Sequence, residues 1–171
     1  MTGDRAGEFW NYLSDPTKGL IMEGDYLMND VIRHGNYSFK DYSFLVFPYA
    51  KAYEGFLKQL FLDIKFISHL DYISNHLRLG KLMSPNLIGR LGDRSLYKKI
   101  TEASTRDLAD RIWNTWKTGR NQIFHFFPNN IKAVTFDEAE GIVKDIIATM
   151  EESYEKLKVN QKISESGKVN Q

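Results

Sequence analysis

At 171 residues the chain has the length of one typical domain, long enough to bury a core of its own. Hydrophobic residues make up 42% and charged residues 26%, close to the globular average, which excludes wholesale disorder. There is no cysteine, so disulfides, thiolate zinc sites and cysteine nucleophiles are excluded, as fits a reducing compartment. The 23 basic residues nearly balance 22 acidic ones, but their distribution is uneven. Residues 76–120 hold ten basic and four acidic residues, a local +6, whereas 1–75 and 121–171 are net negative. Such a block favours a polyanion if it folds into one surface, and is otherwise a solvated face.

Met1–Trp10 mixes acidic residues into a stretch with no apolar centre, unlike a signal peptide. The most apolar run, Phe44–Ala50, stops at Lys51, far short of the ~20 residues that span a bilayer. The expectation is a cytoplasmic protein without membrane contact.

Helical periodicity dominates, and no apolar–polar alternation is long enough for a strand. A first helix is expected within 17–33, ended by a left-handed cap at Gly35 or Asn36. A long second helix follows from about Phe39 to His69. Its stripe of Ala50, Tyr53, Phe56 or Leu57, Leu60, Ile64 and Ile67 steps by three and four. Pro48 should kink it or begin its main body. Residues 80–104 form a short irregular insertion, broken by Gly80, Pro85, Gly89 and Gly92, with helices expected at Pro85–Leu91 and Leu96–Ala103. Ser104 or Thr105 caps a helix from Arg106 to about Phe126. Thr135 and Glu138 form a capping box for a last helix, whose inner face carries Ile142, Ile146, Met150, Tyr154 and Leu157. Residues 158–171, where Lys-Val-Asn-Gln occurs twice, read as a polar flexible tail. The fold class is thus all-α, a single bundle of four to five helices over 1–157.

The 106–127 helix carries two faces. Leu108, Ile112, Trp116, Ile123 and Phe127 are its apolar side, with Gly119 allowing close approach. Asp110, Asn114, Lys117, Asn121 and His125 form a polar stripe, with Arg120 beside it. Arg120 and His125 are five apart and project about 140° apart on an ideal helix. They act together only through a long arginine reach, a distorted helix or a second copy of the chain.

Arg120-Asn-Gln-Ile-Phe-His125 resembles the Arg-polar-x(3–5)-His motif of the HEPN-superfamily ribonucleases, small α-helical bundles with the motif before the last helix. Tyr49–Lys58 resembles the long helix of RNase LS-type toxins, in which a glutamate joins the arginine and histidine; Glu54 is the matching residue. The resemblance implies a metal-independent endoribonuclease with Arg120, His125 and Glu54 catalytic, acting as a toxin or anti-phage effector restrained by a protein antitoxin. Those toxins are longer, so this chain corresponds to their catalytic module alone. Another HEPN branch has a nucleotide-accepting tyrosine two residues after the histidine, and Phe127 stands there instead.

The chemistry is coherent on its own. Metal-free RNA cleavage needs a base for the 2′-OH, an acid for the 5′-oxygen and a cation for the phosphorane. Histidine can serve as acid or base, and arginine's planar fork suits phosphate. Asn121, Lys117 and Asn114 are the expected RNA contacts, and no cofactor or metal is called for. Each chain brings one motif with a single histidine, which suggests a homodimer through the motif helix that would also bury Trp113, Phe124 and Phe126.

Each residue has a plainer reading as well. His125 between two phenylalanines can be a half-buried helix-end residue, Arg120 can pair with Glu54, and Glu54 stands four before Lys58. Trp113 and Trp116 can be core rather than base platforms. His69 and His76 lack a third ligand for a metal. The alternative to the enzyme is a catalytically silent HEPN-like module that binds RNA or protein; an enzyme acting on small nucleotides is a third reading.

Overall fold

The computed structural model describes residues 7–159. Among them the chain is all-α, with no strand. Its helices are α1 (Glu8–Tyr12), α2 (Asp15–Tyr26), α3 (Phe47–Asp63), α4 (His69–Ile73), α5 (Leu79–Leu82), α6 (Ile88–Leu91), α7 (Leu96–Ala103), α8 (Arg106–Trp116) and α9 (Phe136–Ser153). Helices α2, α8 and α9 each run on into one π-helical turn, at Leu27–Ile32, Lys117–Gln122 and Tyr154–Val159. The helical segments outnumber the four or five expected because residues 64–95 are cut into single turns. Among the described residues no helix is long and apolar enough to cross a membrane.

Two compact units divide the chain. The first takes the described residues up to Phe56 together with Thr115–Ala148, and the second takes Leu57–Asn114 with the described residues from Thr149 onward. Every crossing falls inside a helix, not in a linker.

In the first unit, a 3₁₀ turn at Ser43–Val46 leads directly into α3, so the long helix starts at Phe47 and does not kink at Pro48. Proline's missing N–H costs nothing in a first turn, which is why the helix begins there. Tyr49, Ala50, Ala52, Tyr53 and Phe56 are buried. The Tyr49 ring lies where a side chain on Gly24 would stand, and its hydroxyl donates to Asp25 Oδ1 at 2.6 Å. Phe9 and Tyr12 meet Phe56 edge-on. Neither Gly35 nor Asn36 has the left-handed backbone expected of a cap. Gly35 is instead a close approach, since a Cβ there would lie 2.6 Å from the Val31 carbonyl oxygen.

Asp41 ties two loops together, accepting from the Ser43 amide at 2.9 Å, from Asn130 Nδ2 at 2.9 Å and from the Val134 amide at 3.3 Å. Burial pushes its carboxyl up, but these bonds outweigh burial and hold it below the usual range. The Thr135–Glu138 capping box is present in full. Along the last helix and its π turn, Ile146, Met150, Tyr154 and Leu157 are buried as expected, and Ile142 is half-buried. Gly119 sets a close approach too: a Cβ there would be 2.9 Å from Ile146 Cδ1.

In the second unit, Leu57, Leu60, Phe61, Ile64 and Ile67 continue the buried stripe. Helix α3 nevertheless ends at Asp63, six residues before the expected His69, because Lys65 takes a left-handed backbone with φ 62°. Ser68 and Asp71 then form a capping box that starts α4 afresh. Thr105 caps α8 by accepting from the Leu108 amide at 3.2 Å. Lys158 and Val159, expected in the tail, belong to the last π turn. Residues 160–171 lie outside the described residues.

Candidate functional site

Helix α8 does not continue to Phe126. After Trp116 its backbone passes into the π register at Lys117–Gln122, and residues 123–124 form a turn, with His125 outside the helix. Thr118, Gly119 and Asn121 are poor helix formers, so the α-register is weakest at this point. A π turn closes its hydrogen bonds five residues apart, and such turns are frequent at functional sites. Residues five apart therefore no longer diverge as they do on an ideal helix. The His125 amide donates to the Gln122 carbonyl at 3.3 Å, folding the chain back.

The result is a cavity of about 370 Å³ within the first unit, lined by Phe47, Ala50, Lys51, Glu54, Arg120, Asn121, Phe124 and His125. Arg120 and His125 thus face one cavity in one chain, through the helix distortion. Glu54 and Lys51 come from the facing helix α3, one turn apart.

Arg120 is held on two sides. Its Nε donates to Glu54 Oε2 at 3.0 Å, and its guanidinium carbon lies 4.8 Å from the centre of the Trp116 ring. Beyond these, its terminal nitrogens make no hydrogen bond with the described residues. An arginine anchored through Nε, with its fork free, is suited to a phosphate. The ion pair is partly exposed, Arg120 at 41% and Glu54 at 28%, so it orients more than it stabilises, contributing about 0.2–1 kcal/mol. Trp116 is buried, and its Nε1 has no hydrogen-bond partner in the described structure. It therefore serves as core and as the platform under Arg120, not as a base platform.

His125 is exposed, and its imidazole makes no hydrogen bond with the described residues. Glu54 is paired with Arg120. Phe47 and Phe124 meet edge-on at 5.7 Å, both substantially exposed. Of the three expected RNA contacts only Asn121 lines the cavity. Lys117 and Asn114 are exposed but do not line it, and Asn114 belongs to the second unit, as do Asp110 and Trp113. Asp110 accepts from the Tyr97 hydroxyl at 2.6 Å. From Lys117 onward the backbone is in the π register, so a stripe drawn on an ideal helix does not carry past Trp116.

Lys51, Phe47 and Phe124 are cavity residues that sequence reasoning missed. The signal for Lys51 was its spacing of three from Glu54, one helical turn. His69 opens α4, which ends at Ile73, so His76 does not share its helix. Among the described residues no group of three or more histidine, aspartate and glutamate side chains stands close enough to hold a metal ion. No family model, curated protein or solved structure matches this chain.

Proposed function

We propose that the chain is a metal-independent endoribonuclease of HEPN type, cleaving RNA by attack of the 2′-OH on the adjacent phosphodiester. The observation that carries the reading is the cavity shared by Glu54, Arg120 and His125. In it, Arg120 meets the non-bridging phosphate oxygens and stabilises the charge that builds in the phosphorane. His125 moves a proton, to the 5′-oxygen as acid or from the 2′-OH as base. Glu54 positions Arg120, and Asn121 offers a further polar contact. Lys51 adds a second cation to the facing wall.

The biological role that goes with this reading is a toxin or anti-phage effector in the cytoplasm, restrained by a protein antitoxin. A homodimer through the motif segment belongs to the proposal on chemical grounds, since one motif supplies one histidine and the reaction uses both an acid and a base. Phe126, 79% exposed beside the motif, is apolar surface that such a contact would cover. Light scattering should give twice the monomer mass. Mixing inactive Arg120→Ala and His125→Ala chains should restore part of the activity; full activity in a strictly monomeric protein would rule out the shared cleft.

One observation favours a catalytically silent RNA- or protein-binding module: Arg120 is already paired, as a structural arginine would be. The two readings part on product chemistry. The ribonuclease should cut RNA in excess EDTA and leave 2′,3′-cyclic phosphate ends. Absence of cleavage, or cleavage lost on chelation and restored by Mg²⁺, would reject it.

A further inference from the structure

The basic block at 76–120 is only partly absorbed by the proposed catalytic site. Several of its cations are already partnered: Lys98 with Asp93, Arg106 with Asp110, and Arg111 with Glu152. Arg78 and Lys81 are exposed and pair with no carboxylate among the described residues. They stand one helical turn apart at the start of α5, and they converge with Arg94 and His76 on a separate cavity of about 270 Å³. Its apolar side is Leu77, Leu82 and Leu91, and its one carboxylate is Asp71.

Asp71 does not neutralise the cavity. One of its oxygens lies 3.7 Å from Arg94, holding that guanidinium at the wall. The other accepts from the Ser68 amide at 3.1 Å and the Ser68 hydroxyl at 2.7 Å. Three cations against one carboxylate leave two net positive charges, His76 aside. A phosphomonoester carries about −1.5 to −2 at pH 7, whereas a phosphodiester carries a single charge and continues in two directions. Two guanidinium forks and an ammonium around a small cavity match the former in charge and in donor geometry.

We propose that this cavity in the second unit binds a phosphomonoester, the terminal phosphate of a nucleotide or of an RNA 5′ end. Arg78 and Lys81 supply the charge, Arg94 is the oriented donor, and the leucines face the sugar. The site uses neither Arg120 nor His125, so it stands or falls apart from the ribonuclease reading.

The test is isothermal titration of the full chain with inorganic phosphate, with AMP, and with a 2′-O-methyl oligoribonucleotide carrying either a 5′-phosphate or a 5′-hydroxyl. The 2′-O-methyl groups prevent cleavage by 2′-OH attack. Saturable binding is expected for the 5′-phosphorylated oligonucleotide or AMP, and Arg78→Gln with Lys81→Gln should weaken it about tenfold or more. AMP binding no more tightly than inorganic phosphate would identify the phosphate alone as what is read. Tighter AMP binding would identify a nucleotide, and a preference for the oligonucleotide an RNA end. Circular dichroism and melting of the double variant should match those of the unmodified chain, so that weaker binding reports the lost cations and not a lost fold. The proposal is overturned by no saturable binding of any phosphomonoester, or by binding indifferent to the double variant.

Discussion

Helix α3 and the segment from Lys117 to Phe127 face each other across the candidate site, and they are built on opposite terms. The first is a regular helix whose stripe is buried without interruption, with Ala52, Phe56, Leu57, Leu60 and Phe61 fully inaccessible. The second keeps only Gly119 buried and leaves Phe124, His125 and Phe126 exposed. Lys51 and Glu54 gain their fixed positions from a helix held by packing. Arg120 and His125 reach the same cavity because their helix loses its regular register. The packed element supplies the wall, and the irregular one supplies the groups that would meet a substrate.

Substitutions can break that contrast at either end. Phe56→Ala should be the most damaging to stability, at about 3–5 kcal/mol by chemical denaturation, because it empties a site closed by Phe9 and Tyr12. An unfolding midpoint close to that of the unmodified chain would mean that α3 is not the packed wall described. Gly119→Val should cost about 1–3 kcal/mol, since its branches must displace Ile146. It tests whether the π turn is pressed against α9, and a neutral result would place that turn away from Ile146. Glu54→Gln should change stability by less than about 1 kcal/mol while lowering any RNA cleavage, because the pair is partly exposed but orients Arg120. Unchanged cleavage would reduce Glu54 to a surface partner.

The smallest effect is on acid stability. The hydrogen bond from Lys144, joined by Arg33, holds the Glu140 carboxyl below the usual range. A carboxylate depressed in the folded state contributes stability above its unfolded pKa and loses it as pH falls through the folded value. Glu140→Gln should therefore flatten the acid limb of stability below about pH 5 without changing neutral behaviour at the site. An unaltered limb would show that these contacts carry no linkage.

The regular parts of this fold were legible in the sequence. The α3 stripe, the Thr135–Glu138 box, the cap at Thr105, the Leu96–Ala103 helix and the close approach at Gly119 all follow from local chemistry, and the structure has them. The helix ends were less legible. Lys65 takes a positive φ that its residue type does not announce, so α3 stops early. The weak formers at 118–121 were visible, but an ideal wheel carries no signal for a π turn. Extending it to His125 therefore put Arg120 and His125 on separate faces, whereas both line one cavity. For the same reason Asn114 and Lys117 were joined to a stripe that the register change interrupts. Glu54 was found through family resemblance, and Lys51 was missed because its partners across the cavity are distant in sequence.

We propose that the cavity that brings Arg120 and His125 together is where RNA is cut. The most direct measurement is the single-turnover cleavage rate of one RNA, in EDTA, for the unmodified chain and for His125→Ala, with circular dichroism and melting recorded on both. The exposed imidazole predicts unchanged folding and a fall of about 10²–10⁴ in rate. A variant that remains folded and cuts the RNA at the original rate would show that His125 takes no part in cleavage.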